Sequence, residues 1–244
     1  MITPPLKSGS EFYNYKHTFS IVLLALVDAD YKFSYVDVGT NGCISDGGVF
    51  AKSTLSRDLQ ENGLSMPPDK PLPGRNRPQP YVIVADEAFP LRDNIMKPFS
   101  GKQLISYERR IFNYRLSRAR HLAENAFGIL ANRFRIFLSR IPLAPEKVQL
   151  IVLAACALHN FLRVHSTAQN FEGLIDAEDP ATGRLIEGSW RQNVPNGGTW
   201  QGLAAGQGRN RRSTDYATEV REEFCSFFSN EGRVTWQDTM VRDY

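Results

Sequence analysis

Three acidic side chains stand where the sequence could do chemistry: Asp86 and Glu87 in "YVIVADEAF", and Glu124 in "RARHLAENAFGILANRFRIF". Asp86 follows an apolar run that reads as a buried strand. Carboxylates at the C-terminal ends of central strands in an open α/β sheet lie at the usual active-site crevice. The bland alternative is a turn or N-cap residue, the commoner role of a strand-terminal Asp. Glu87 reads as its solvated neighbour. Glu124 stands among Arg118, Arg120 and Arg133. With Arg120 four residues before it, a surface ion pair worth ~0–1 kcal/mol is one reading. The other is a metal ligand with arginines on either side to meet a phosphate backbone. Magnesium takes one or two protein carboxylates plus waters and substrate phosphates. A two-metal phosphodiester-cleaving site therefore needs acids converging from several elements in a basic groove.

The charge pattern suits that chemistry. Between Lys97 and Arg140 ten Lys and Arg residues stand against two acids, Glu108 and Glu124. Such an excess serves a polyanion-binding surface or a solvated helix face. The chain total of +3 says little. His159 in "ALHNFL" lies on an apolar helical pattern and reads as a structural histidine bonded to Asn160 or nearby backbone rather than as a base. His17 and His121 read as surface or groove residues, and Cys156 as a small core residue. Gly39, Gly42, Gly47 and Gly48 do not make GxGxxG after a strand in register, which excludes a dinucleotide site. Trp190, Trp200 and Trp236 read as partner contacts or local packing.

Several elements must position these groups. "TFSIVLLALVDAD" and "YKFSYVDVG", joined by Asp28–Asp30, read as an antiparallel hairpin whose continuously apolar first strand suits a central position. A Gly-rich turn leads into a helix over 47–60, with Ser45 and Asp46 at its N-cap. Residues 63–80 hold six prolines and form a long loop, of the functional or mobile kind. "YVIVADEAF" follows as a strand. Phe112, Leu116, Ala119, Ala123, Phe127, Leu130, Phe134 and Phe137 then recur in steps of three and four, predicting a helix over 106–138. A further helix covers 146–164, after Pro145. Residues 166–214 are rich in Gly, Asn and Gln without a sustained period and read as a flexible linker. In 215–244 a short amphipathic helix presents Val220, Phe224 and Phe227.

At 244 residues, 42% hydrophobic and 23% charged, the chain has the composition of a soluble globular protein. Cys43, Cys156 and Cys225 are odd in number and form no CxxC, so neither a disulfide framework nor a zinc module is indicated. A reducing, intracellular compartment is expected. The apolar runs "SIVLLALV" and "LIVLAACAL" fall short of the ~20 residues of a membrane span, so no membrane partner is expected.

Together, "SDGGVF", "VADEAF", "FNYRLSRARHLAENAFGILANRFRIF" and "LAACALHNFL" resemble the Harbinger-type transposase-derived nucleases of the DDE superfamily, over about Ile2 to Val164. Asn113, Ser117, Arg118, Arg120, Glu124, Gly128, Arg133 and Phe134, followed by Leu158, His159 and Asn160, carry the resemblance. It implies an α/β fold with an RNase H-like mixed sheet flanked by helices, spanning 1–165. It also implies Asp46, Asp86 and Glu124 as the acids binding Mg2+ or Mn2+ for phosphodiester hydrolysis. Lys97, Arg118, Arg120 and Arg133 would position the DNA backbone. The family's first aspartate lies on the first core strand, in a "DGKH"-like motif, and no residue here matches it; that strand is expected to be missing. Two functions follow: a metal-dependent DNA endonuclease, or a catalytically incomplete or domesticated remnant that binds DNA or a protein partner. Expected partners are DNA and a separate DNA-binding protein, with the nucleus as the expected location and the cytoplasm as a second one. Oligomeric state is not legible.

Overall fold

The computed structural model describes residues 1–5, 7–104, 106–165, 173–179, 181–193 and 213–242. The chain divides into two compact units, and each has its own core. The first contains Met1–Ser53, Leu122–Asp179 and the segment beginning at Arg184; the second contains Thr54–His121, Pro180–Gly183 and the C-terminal segment.

In the first unit β1 (Ile21–Val27) pairs antiparallel with β2 (Phe33–Asn41), the hairpin expected from the sequence. The register runs from Ile21 opposite Asn41 to Val27 opposite Phe33, with irregularities after Val22 and Leu26. Asp28 makes the turn: its Oδ1 accepts from the backbone N–H of Asp30 and of Lys32, both at 2.9 Å. Every residue of β1 is half-buried, and β2 is its one partner strand among the described residues. That corrects the expectation of a central strand covered on both faces.

The predicted helix over 47–60 is two helices, α1 (Asp46–Lys52) and α2 (Thr54–Gln60). Ser53 divides them. Its hydroxyl donates to the Phe50 carbonyl at 2.7 Å and its backbone is extended, the competition with helix geometry typical of serine.

Across the described residues the strands form four two-stranded ladders, three antiparallel and one parallel. Mixed helix and strand content makes the fold α/β. The strand expected over "YVIVADEAF" shrinks to Ile83–Val84 (β5), paired parallel with Ile95–Met96 (β6). The Pro-rich loop holds a small hairpin, β3 (Lys70–Pro71) and β4 (Pro78–Gln79).

The long helical pattern becomes α3 (Tyr107–Arg133), followed by a 3-10 turn at Arg135–Leu138. Its first part, to His121, belongs to the second unit and the remainder to the first. Phe112 and Leu116 therefore join a core with Met96, Phe99 and Val220, while Ala126, Leu130 and Ala131 join one with Phe33, Phe137, Val148 and Val152. Ala119, read as part of a continuous stripe, is exposed because the helix serves two cores.

Helix α4 (Pro145–His165) lies on β2 and fastens the hairpin. Asn160 accepts from the Phe33 N–H at 2.8 Å and donates to the Phe33 carbonyl at 2.9 Å, standing in for a neighbouring strand. His159 Nε2 meets the Tyr31 carbonyl at 2.8 Å, and Arg163 Nε donates to the Asp30 carbonyl at 2.8 Å. The structural reading of His159 holds, with backbone as its partner. At 21 residues α4 is long and apolar enough to cross a membrane by length and composition. The expectation that no segment reaches that length is therefore corrected. The helix extends well past the contiguous run "LIVLAACAL".

The described part of 166–214 holds a hairpin, β7 (Ala177–Glu178) with β8 (Leu185–Ile186), and a four-residue helix, α5 (Trp190–Asn193). Trp200 and the rest of that stretch lie outside the described residues. Near the C-terminus, α6 (Asp215–Ser229) is capped by Thr214, whose hydroxyl accepts from the Ala217 N–H at 3.0 Å. α7 (Gln237–Arg242) follows. Val220 and Phe224 pack into the second core as predicted, but Phe228 joins them rather than Phe227.

Candidate active site

Asp86 ends β5 because its side chain takes over the backbone. Its Oδ1 accepts from the Ala88 N–H at 2.7 Å, an Asx turn that stops the strand. Its Oδ2 lies 3.8 Å from Arg120, with both side chains about one-third exposed. The turn reading raised by the sequence is thus present in the geometry, together with an ion pair on α3. Glu87 is exposed, as expected of a bystander.

Lys97 braces the same loop. Its ammonium donates to the carbonyls of Glu87 at 2.8 Å and Phe89 at 2.9 Å. Burial lowers its pKa, with Glu87 opposing that fall and Arg221 adding to it. Arg118 donates to the Tyr114 hydroxyl at 2.5 Å and to the Gly183 carbonyl at 2.8 Å, and its guanidinium stacks over the Tyr114 ring. Asn113 bonds both backbone groups of Phe99, at 2.8 and 2.9 Å, and so fixes the segment after Lys97. These contacts all lie within the second unit.

Asp46 and Glu124 belong to the first unit. Asp46 opens α1, where an acid complements the positive helix end. The cap itself is Ser45, whose hydroxyl accepts from the Gly48 N–H at 3.4 Å. Glu124 is exposed on α3, and Arg133 is half-buried near the end of that helix. Burial lowers the Arg133 pKa, and the nearby Arg163 charge lowers it further.

Beside Glu124 the structure shows a network that the sequence did not reveal. Asn125 Oδ1 accepts from Trp190 Nε1 at 2.8 Å and from the Asp176 N–H at 3.2 Å. The Asp176 carboxylate is fully buried and grips Arg191 through Nε at 3.0 Å and a terminal nitrogen at 2.5 Å, and it accepts from the Gly188 N–H at 2.8 Å. The Arg191 pKa is raised by Asp176 first, with Glu124 contributing electrostatically. The Trp190 ring lies against Gly128, where an added Cβ would come 2.3 Å from its Cε3. The "AENAFG" motif thus seats Asp176 and Trp190 on α3, and Gly128 was the one visible signal of a close approach.

Carboxylate oxygens are the right donors for Mg2+ or Mn2+. The assembly is another matter. Among the described residues no group of three His, Cys, Asp or Glu side chains is gathered for a metal, and both oxygens of Asp86 already meet cationic or N–H partners. Asp86 is held within the second unit, and Asp46 and Glu124 within the first.

Comparison with known proteins gives the arrangement its family. The family described as DDE superfamily endonuclease matches residues 2–160, a span holding all three acids and the four candidate DNA-backbone cations. The chain belongs to the DDE superfamily of endonucleases. This DDE-superfamily chain is also 34% identical over 147 residues to Protein ALP1-like of Arabidopsis thaliana. That match covers 59% of the chain and 35% of the relative, so the chain spans about a third of the length of the curated relative it matches. Both findings accord with the Harbinger-type resemblance of its motifs. No solved structure matches it.

Proposed function

We propose that this chain is the nuclease module of a transposase-descended DNA endonuclease, dependent on Mg2+ or Mn2+. The observation that carries the proposal is the family match over residues 2–160, which takes in Asp46, Asp86 and Glu124 together. Asp86 and Glu124 are the principal candidate ligands and Asp46 the auxiliary one. Lys97, Arg118, Arg120 and Arg133 are the candidate contacts to the DNA backbone. Such contacts carry position rather than base sequence, so target choice falls to another module or to a separate DNA-binding protein. A nuclear location goes with that substrate.

A second reading is favoured by the occupied state of Asp86 and Lys97. A chain whose acid and lysine are held in loop-bracing contacts suits a catalytically incomplete, DNA- or protein-binding descendant of the same family.

Nicking of supercoiled plasmid by the full chain, with Mg2+ or Mn2+, separates the two. The endonuclease reading predicts nicking that falls to background in Asp86→Asn and in Glu124→Gln. Undiminished nicking by Asp86→Asn would sink the acid assignment. If nothing is cut but DNA is bound, the logarithm of affinity should fall with the logarithm of salt by about 0.9 per phosphate contacted. Salt-insensitive binding would point to a protein partner.

A further inference from the structure

Among the described residues, helix α4 buries one face and leaves the other exposed. Val148, Val152, Ala155, Cys156 and His159 face the first core. On the opposite face Leu150 is 67% exposed, Leu153 43%, Leu158 51%, Phe161 58% and Val164 64%, with exposed Ala154 and Ala157 between them. Positions 150, 154, 157, 161 and 164 advance by alternate fours and threes, the 3.5-residue average of a helix–helix seam. No Asp, Glu, Lys or Arg occurs from Val148 to Leu162.

A large aromatic side chain covers about 150–250 Å² and an aliphatic one somewhat less, so these five side chains, each about half exposed, together present on the order of 500 Å² of apolar surface. Isolated exposed leucines need no explanation, but a contiguous patch of that size marks an interaction site. A two-fold axis uses one patch twice, which brings the total to roughly 1,000 Å² before the rim is counted, close to the lower bound of specific interfaces.

We propose that α4 is a homodimerisation helix, docking antiparallel on α4 of a second copy about a two-fold axis near Ala157. The seam is complementary to itself in that direction. Leu150 meets Val164 of the second copy and Leu153 meets Phe161, while the two Ala157 methyls allow close approach at the centre. Antiparallel pairing also sets the two helix dipoles in opposition, which favours it over the parallel arrangement. A lipid surface suits the helix less well. Interfacial helices carry Lys and Arg along the polar face, whereas the far side of α4 is committed to the core, with His159 and Asn160 bonded to the hairpin.

Sedimentation velocity on the full chain at micromolar concentration tests this. The expected result is a species of twice the chain mass, shifted to monomer in Leu150→Glu/Phe161→Glu with an unchanged circular dichroism spectrum. In a Cys43→Ser background, oxidation should cross-link a mixture of Leu150→Cys and Val164→Cys chains and leave Leu150→Cys alone uncross-linked. A wild-type monomer at every concentration overturns the proposal. So does ready cross-linking of Leu150→Cys with itself, which would mean parallel helices, or flotation of a monomeric chain with anionic vesicles.

Discussion

Gly128 shows how one missing side chain can organise a site. An alanine there would place its Cβ 2.3–2.7 Å from three atoms of the Trp190 ring. Trp190 would have to leave and its bond to Asn125 would break. Gly128→Ala is therefore expected to cost about 1–3 kcal/mol, the usual range for overpacking, read as a lower denaturation midpoint with altered tryptophan fluorescence. In a Trp190→Ala background the same change should cost much less, because the two residues share one contact. Thiol chemistry gives a second test at this scale. Cys156 and Cys225 are buried and their thiols are pushed up to about 11, whereas Cys43 is exposed. Iodoacetamide at neutral pH should alkylate Cys43 in the native protein, and the other two only after unfolding. Burial of Cys156 was legible from its apolar setting, whereas that of Cys225, in "REEFCSFF", was not. The Trp190 contact was not, since its hydrogen-bond partner lies 65 positions away and the tryptophan sits in a stretch of loop-like composition.

Among the elements, the small hairpin of β3 and β4 is fastened chiefly by Arg75, with Arg77 reaching Glu219 of α6 at 2.8 Å beside it. Arg75 donates to Glu231 at 3.0 and 2.7 Å and to Glu223 at 2.7 Å, tying the Pro-rich loop to α6 and the turn after it. Its own side chain is only 13% exposed. Arg75→Ala should leave the core intact but release the loop, seen as faster limited proteolysis within 63–80. Arg75→Lys should rescue little, since a lysine cannot present the planar fork that meets two acids. The proline content showed that this segment is a loop, yet its fastening comes from partners 148 and 156 positions away. Elements fixed by local chemistry were legible: the Asp28 turn, the Ser45 cap, the start of α3 and the extent of α4, whereas α3 stops at Arg133, short of the expected 138. "YVIVADEAF" shows the limit. Its apolar run predicts a full strand, but Asp86 turns the chain after Val84 and leaves a two-residue ladder.

For the molecule as a whole, His159 couples stability to pH. Its ring is wholly buried, with Nε2 on the Tyr31 carbonyl and Nδ1 enclosed without a hydrogen-bond partner. Burial lowers its pKa most; the Tyr31 bond opposes that shift, and the Arg133 and Arg163 charges add to it. The sign follows from proton binding. In the unfolded chain the imidazole titrates near its ordinary ~6.5. Below that pH the unfolded state takes up a proton that the folded state refuses, so folding stability falls as pH drops from about 6.5 toward the depressed folded value. Above ~6.5 both states are neutral and this contribution is complete. The slope has a ceiling of about 1.4 kcal/mol per pH unit for one proton. Urea midpoints between pH 5 and 8 should therefore decline on the acid side. His159→Gln keeps a donor for the Tyr31 carbonyl but cannot titrate; it should be less stable at pH 7.5 and have a shallower acid slope than the wild type. An equal slope in the two proteins would move the pH dependence to other groups and leave His159 a packing residue alone.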